Sequence, residues 1–474
     1  MIYVHVPFCR SFCTYCDFYS EVVGGCRPAQ AAGGEGLVAF SGENATNPGL
    51  QAGVSSKNGR FCDQPQREAA LFGRYTDDLC AEIRSRRDEI LAASGVRTLY
   101  IGGGTPSVLP LDCLRRIVEK VREVEGAALA DGADGPAQGE GPAGADGPAG
   151  GEDPAEADVP TRADGDWEEF TVEVNPEDIV ERGPSYVEGL LELGVNRISM
   201  GVQSLDDGML RWMNRRHSAD GARKAWQILT SVRADLQKVP KMTVPPSENV
   251  GVPSKSAEND GRLNRKGGEP FRDRKGGEPY RDREGGEPFR ERGLSLSVDL
   301  ISGVPGMDCA MLERTLNEVL EWRPEHISAY QLSVEEGSAL ARMIADGRVA
   351  ELPDEECRAQ YELVCQKLGA AGYHHYEISN WALPGHEAVH NSAYWTRQPY
   401  VGLGPGAHSL EITATRQIRK WNSRRPTGWG EEGREVLTAE EIREETLMLL
   451  ARTDRGPIPE RDWFVADELI PDLL

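Results

Sequence analysis

Nothing in this 474-residue sequence stays apolar for the ~20 residues that a membrane-crossing helix needs. Nor is a secretory leader expected: the opening run IYVHVPF is short, has no basic flank and contains a histidine. Positive charge is scarce, with 53 Lys and Arg against 77 Asp and Glu and a formal net charge of −24. A chain this acidic repels phosphate backbones, so nucleic acid is not an expected partner. The expectation is a soluble, cytoplasmic protein that is not integral to a membrane. Ten cysteines in that compartment do not make a disulfide framework. Seven of them (Cys26, Cys62, Cys80, Cys113, Cys309, Cys357 and Cys365) have no motif spacing and read as ordinary buried or free thiols.

The length fits one large domain with an appendage. Composition separates structured blocks from three tracts. Residues 21–70 are rich in Gly, Ser, Ala and Asn; residues 127–166 form an acidic Pro/Gly/Ala stretch that repeats ADGPA. Residues 236–292 carry the tandem units RKGGEPFRD, RKGGEPYRD and REGGEPFRE. Such tracts bury too little apolar surface to offset their ordering entropy. Each tandem unit has one aromatic and a Gly-Gly, so no stacked core can form. All three are expected as low-complexity insertions.

Between the tracts, strand-like runs (YVHV, TLYIG, FTVEVN, RISMGV, LSVDLI and HISAYQL) alternate with helix-like segments. The helical segments are Tyr75–Leu91, Leu111–Val124, Tyr186–Leu193, Asp220–Val232, Ala310–Glu321 and Asp354–Ala371. Strand, helix, strand repeated about six times implies an α/β fold with a parallel sheet of βαβ units. Such chains close, or nearly close, into a barrel with its chemistry at the strand C-termini. The expected architecture is therefore a partial (β/α)6, TIM-like barrel.

The strongest local signal is CRSFCTYC, in which Cys9, Cys13 and Cys16 follow the first strand. Three thiolates on one short loop can converge on a single metal cluster. Zinc takes four ligands, and no matched second Cys/His pair lies nearby. A [4Fe–4S] cluster is usually held by four cysteines, so three leave one iron open to an exchangeable ligand. His5 is close in sequence but sits mid-strand. YIGGGTPS follows the second strand, where Gly102, Gly103 and Gly104 let backbone approach a ligand without Cβ obstruction.

The CxxxCxxC loop and the glycine-rich turn together resemble the radical S-adenosylmethionine (SAM) superfamily. EVNPED, RISMGVQSLDD, VDLISGVPG and HISAYQL follow the order seen in its oxygen-independent coproporphyrinogen III oxidase-like branch. The resemblance implies a radical SAM barrel in which SAM's amino and carboxylate groups take the open iron. It places Tyr3 near SAM and Gly103, Gly104 and Thr105 at its methionine end, with Glu173, Gln203, Arg215 and Asp299 as further contacts. Arg215 and Arg216 in MNRRH can exchange that role. The bland alternative for each carboxylate is a solvated strand-end acid or a helix cap.

The branch contains oxidases, which decarboxylate coproporphyrinogen III, and heme chaperones, which bind heme and pass it to acceptor proteins. The oxidases carry a further cysteine two residues after the third one, where this chain has Phe18, and an extension before the loop for which residues 1–8 leave no room. HNSAYW matches the heme-associated pattern of the chaperones, which implies a heme site at His390, Asn391, Tyr394 and Trp395. If helical, His390 and Tyr394 share a face with Trp395 beside them; imidazole is a normal axial ligand and aromatic rings offer flat surface to a porphyrin. The plainer alternative is a hydrogen-bonded histidine beside a core tyrosine and tryptophan. His374, His375 and His408 read as polar packing or secondary porphyrin contacts.

The resulting expectation is a heme chaperone with a [4Fe–4S] cluster, SAM and heme as cofactors. Its partners would be heme-accepting proteins and, if SAM is cleaved, an electron donor. The competing expectations are an oxygen-independent coproporphyrinogen III oxidase and a radical SAM enzyme with an unrelated substrate. The barrel core is expected over residues 1–335 and a heme-site and covering region over 336–430. A helical appendage, shorter than the winged-helix-like one usual in the family, is expected over 431–474. Thr438 and Glu441 form a capping-box pattern at its first helix.

Overall fold

The computed structural model describes residues 1–16, 19–23, 64–131, 167–238 and 293–474. Phe18, Cys26, Cys62 and most of the three low-complexity tracts lie outside the described residues.

Each strand-like run of the sequence forms a strand. In chain order these are β1 (Ile2–Val6), the two-residue β2 (Phe8–Cys9) and β3 (Glu21–Val22), β4 (Thr98–Gly103), β5 (Glu169–Val174), β6 (Arg197–Gln203), β7 (Ser295–Ser302) and β8 (His326–Gln331). Then come β9 (His374–Glu377), β10 (Asn380–Ala382) and β11 (Val401–Leu403), and a separate sheet of β12 (His408–Ile412), β13 (Gln417–Asn422) and β14 (Glu431–Leu437). The main sheet has nine strands in the order β11-β1-β4-β5-β6-β7-β8-β10-β9. Strands β1 and β4 to β8 pair in parallel, which is the six-stranded partial barrel expected. Two additions were not legible: β11 extends the sheet in parallel beside β1, and β10 and β9 close the other end antiparallel.

The strands alternate strictly. Ile2, Val4, Leu99, Ile101, Phe170, Val172, Ile198, Met200, Leu296, Val298 and Ile327 point outward into one continuous apolar core. Apolar residues on that face are covered by the helices of the βαβ units, because each unit must bury its hydrophobic stripe somewhere. The helices form as Gln64–Ser85, Leu111–Asp131, Pro184–Glu192, Ala219–Lys238, Cys309–Trp322 and Asp354–Ala370. The first starts at Gln64, and two run on to Asp131 and Lys238, so helix takes up an edge of each tract read as insertion.

Polar residues in or just after the family blocks cap helices. The Asn175 side chain accepts from the Glu177 N–H at 3.1 Å, with Pro176 at the first helical position. Asp206 accepts from Gly208 and Met209, and Asp308 from Met311.

The C-terminal region differs from an all-helical appendage. Residues 431–437 form β14, the edge of the small sheet, and helix begins at Ala439 with the capping box of Thr438 and Glu441. The last residues build a small core from Ala451, Ile458, Trp463, Ala466 and Ile470. It is sewn to β9 by Ile378 N–H donating to the Arg452 carbonyl (3.0 Å) and Asp454 N–H donating to Tyr376 (3.1 Å). At that seam sits Glu377, 1% exposed. Burial pushes its carboxyl up to about 7, partly opposed by hydrogen bonds from Asn380 and the Ser379 N–H. A carboxyl raised on folding contributes stability below its unfolded value that is lost as pH rises through about 7. The urea-unfolding midpoint of the ligand-free chain should therefore fall between roughly pH 5 and roughly pH 8. Glu377→Gln should flatten part of that slope and add on the order of 3 kcal/mol at the upper end; an unchanged slope in the variant would refute the assignment.

Candidate functional site

The loop of Cys9, Cys13 and Cys16 leaves β2 and runs towards β3. Phe8 anchors it, buried edge-on against Phe72 and Tyr75 at 5.1 Å between ring centroids in each case. The segment after β6 clamps it from the other side. Thr14 N–H donates to the Met213 carbonyl (3.1 Å), the Thr14 hydroxyl to Trp212 (2.8 Å) and Asn214 to the Phe12 carbonyl (2.6 Å). Arg215 Nη1 donates to Cys13 Sγ at 3.3 Å and Nη2 to the Gly201 carbonyl at 2.8 Å. Burial alone would lower the Arg215 pKa, but the sulfurs of Cys13 and Cys9 and the Tyr15 hydroxyl raise it above its ordinary value. Cys9 Sγ lies 3.5 Å from Thr105 Oγ1.

Cys9, Cys13 and Cys16 are not in disulfides, are partly exposed and face one cavity of ≈ 420 Å³. Among the described residues no three His, Cys, Asp or Glu side chains stand at the spacing of a single metal ion, the arrangement a zinc site requires.

The glycines act differently from the sequence expectation. A Cβ on Gly102 would meet Tyr100 at 2.5 Å and Glu173 at 2.9 Å, and one on Gly104 would meet the Phe8 carbonyl at 2.8 Å. Gly103 has φ +109°, and a Cβ there would lie 2.6 Å from the His5 ring. The close approaches of Gly103 and Gly104 are thus to the chain's own β1–β2 segment, and those of Gly102 to Tyr100 and Glu173. Absence of Cβ lets β4 draw the cluster loop in, with Gly104 N–H donating to the Val6 carbonyl at 2.8 Å. Gly103, Gly104 and Thr105 still border the cavity.

The rim carries the other expected SAM residues. Tyr100 donates to Glu173 Oε1 at 2.6 Å and Gly103 N–H to Oε2 at 3.1 Å. Burial lifts the Glu173 carboxyl to about 7, against the lowering effect of the Tyr100 bond. Asp299 is also raised by burial, and Ser199 donates to it at 2.9 Å. Gln203 ends β6 at a register shift with φ 65°, and its Oε1 is buried without a partner. A strained backbone and an unpaired polar atom thus fall on one cavity-lining residue. Arg215 Nε is likewise unpaired, whereas Arg216 is spent on Asp178 at 2.8 Å, which separates the two arginines. Tyr3 stands behind the rim, bonded to His5 Nδ1 at 3.0 Å, and does not border the cavity.

Below the rim the barrel is hollow. Small hydroxyls (Thr171, Ser199, Ser297 and Ser328) stand where barrels of this type normally carry branched aliphatic layers. Under them lie Glu169, Arg197 and His326. Arg197 and Glu169 form an ion pair at 3.7 Å with side chains 3% and 0% exposed. These residues were missed from sequence. Their signal was present: a polar residue at every second position of strands read only as apolar runs.

HNSAYW is helical, Val389–Trp395, and closes this chamber from beneath. Asn391 and Ala388 line the cavity; His390, Tyr394 and Trp395 do not. Glu169 accepts the N–H groups of Val389 (2.9 Å) and His390 (3.1 Å). The His390 ring is 1% exposed, pairs through Nδ1 with the Thr98 hydroxyl at 2.8 Å, and lies 5.0 Å from Tyr100 and 5.1 Å from Tyr394 between ring centroids. Its Nε2 is buried with no partner. Burial, helped by the positive chain terminus, lowers its pKa to about 3, so the imidazole is neutral. Of the secondary histidines, His375 stacks on Trp381 at 4.0 Å, His374 lies between Glu387 and Asp454, and none borders the cavity.

The model of the radical SAM superfamily matches residues 57–250. "Heme chaperone HemW" of Mycobacterium tuberculosis (strain CDC 1551 / Oshkosh) is 27% identical over 464 residues, covering 96% of this chain and 82% of that protein. The Bacillus subtilis (strain 168) protein of the same name is 25% identical over 461 residues, 95% of this chain and 83% of its own. In fold, the chain resembles the coproporphyrinogen III oxidase (HemN) of Escherichia coli, with a TM-score of 0.53 at 16% identity over 94% of this chain and 74% of that one. Among the described residues no helix is long and apolar enough to cross a membrane. Residues 57–250 thus match the radical SAM superfamily model, and the chain is similar over nearly its whole length to proteins named heme chaperone HemW, with a fold like that of HemN.

Proposed function

We propose that this protein is a heme carrier of the HemW kind, which binds heme and hands it to acceptor proteins. In this reading Cys9, Cys13 and Cys16 hold a [4Fe–4S] cluster, and Gly103, Gly104, Thr105, Glu173, Gln203, Arg215 and Asp299 hold SAM. The observation that carries it is the convergence of three cysteines outside any disulfide, an unpaired Gln203 Oε1 and two buried carboxyls on one cavity, in a chain similar throughout to HemW proteins. Such a donor set suits the group: three thiols leave one cluster iron open, and the carboxylates offer acceptors to an ammonium and a ribose. When bound and reduced, the cluster supplies the electron that cleaves SAM's sulfonium bond. The chain's own residues orient SAM, and Arg215 holds the Cys13 sulfur in place through its 3.3 Å hydrogen bond.

For heme, His390 supplies a neutral imidazole with an unpaired Nε2, the form that ligates iron. As folded, that nitrogen is sealed, so a porphyrin meets it only after the Val389–Trp395 helix leaves Thr98 and Tyr100. Asn391, Tyr394 and Trp395 belong to the same helix and would border the heme in that opened form. The test runs two anaerobic assays on the cluster-loaded chain. Saturable hemin binding near one per chain, with no decarboxylation of coproporphyrinogen III in the presence of SAM and a low-potential reductant, is the expected pair of results. Turnover of coproporphyrinogen III would replace this reading with the oxidase.

A further inference from the structure

The helix that carries the proposed heme ligand is also the floor of the barrel chamber. Asn391 faces the cavity, and among the described residues no protein group hydrogen-bonds its side-chain amide. It stands next to His390, whose ring is turned the other way, against Thr98 and Tyr100. Tyr100 in turn donates to Glu173, and Glu173 accepts from Gly103. From His390 to the glycine turn there are thus only two intervening side chains. The helix is held closed by a third tie, the two N–H groups on Glu169, whose partner Arg197 also lines the cavity.

We infer that the Val389–Trp395 helix is shared between two ligands: Asn391 is a binding residue of the SAM chamber, and SAM and heme therefore bind antagonistically. This rests on the heme reading of the preceding section. A ligand in the chamber gains the Asn391 amide and an intact Glu173–Tyr100 pair only while the helix is down. Heme gains the His390 Nε2 only when the helix is up. Ligands that select opposite states of one element oppose each other, and the coupling is reciprocal by linkage. An amide at the chamber floor, among hydroxyls and with Arg197 already paired, suits an uncharged hydrogen-bonding edge of the ligand, not an anion.

The experiment uses the full, cluster-loaded chain without reductant, so SAM stays whole. Hemin is titrated by absorbance at zero and saturating SAM, and SAM binding is measured by equilibrium dialysis at zero and saturating hemin. Saturating SAM should weaken hemin binding about tenfold, and hemin should weaken SAM binding by the same factor. Asn391→Ala should weaken SAM by about threefold to tenfold and shrink the antagonism. Thr98→Val removes the hydroxyl that retains His390 and should tighten hemin by about threefold to tenfold, a gain that a purely structural role for Thr98 would not produce. Independent hemin and SAM affinities in the unaltered chain, with His390→Ala still losing hemin, would overturn the shared floor alone. Full hemin affinity in His390→Ala would instead overturn the heme site itself, and this inference with it.

Discussion

Replacing Cys13 with serine should leave the anaerobically reconstituted chain with almost no iron or acid-labile sulfide, against about four irons per chain for the unaltered protein. A serine hydroxyl is not ionised near neutral pH and is a poor ligand for a cluster iron, and with only two thiolates left the loop cannot hold the cubane. Cys13 is the most informative of the three because Arg215 bonds its sulfur directly. Its loss also leaves the Arg215 guanidinium facing the cavity with fewer partners, so SAM binding should disappear along with the cluster. Cys309→Ser, at an exposed free thiol far from the loop in sequence, should keep full iron content. Equal iron in the Cys13 and Cys309 variants would remove the cluster from this account.

The largest stability effect is expected at the chamber floor. Arg197 is almost wholly buried and donates to the His386 carbonyl at 3.1 Å and 3.2 Å while pairing with Glu169. Arg197→Met would keep the volume of the side chain but strand a fully buried carboxylate, at a cost of about 3–5 kcal/mol. The double change Arg197→Met with Glu169→Gln should recover part of that loss, because no charge is stranded, although the amide oxygen accepts only one of the two helix N–H groups. Urea unfolding of the single and double variants reads this directly. A single variant as stable as the original chain would mean that the ion pair does not hold the floor.

The parallel core was legible because each of its strands is a short apolar run set between helical segments, and local pattern suffices for such elements. What escaped was set by packing between distant segments. Strand β11 has only three residues and is recognisable as a strand only from its place beside β1. Strand β14 is charged and largely exposed, with Val436 60% exposed, so nothing in EEGREVL separates it from a loop or a helix end. At the site, the cysteine loop and the rim carboxyls were readable from motif order. Depth was not. Helical periodicity puts His390 and Tyr394 on one face but is silent on whether that face meets solvent or the underside of β4. The same holds for Arg215 and Arg216, which only the Asp178 pair and the Cys13 contact tell apart. Polar residues at alternate strand positions were visible all along, and the outward apolar set masked their meaning.

The central claim, a cluster-bearing protein whose HNSAYW segment takes heme, is tested most directly by an anaerobic hemin titration of the cluster-loaded chain beside its His390→Ala variant. The account predicts saturable binding near one heme per chain that the variant loses or weakens strongly. Identical titrations for the two proteins, or no binding by either, would contradict it.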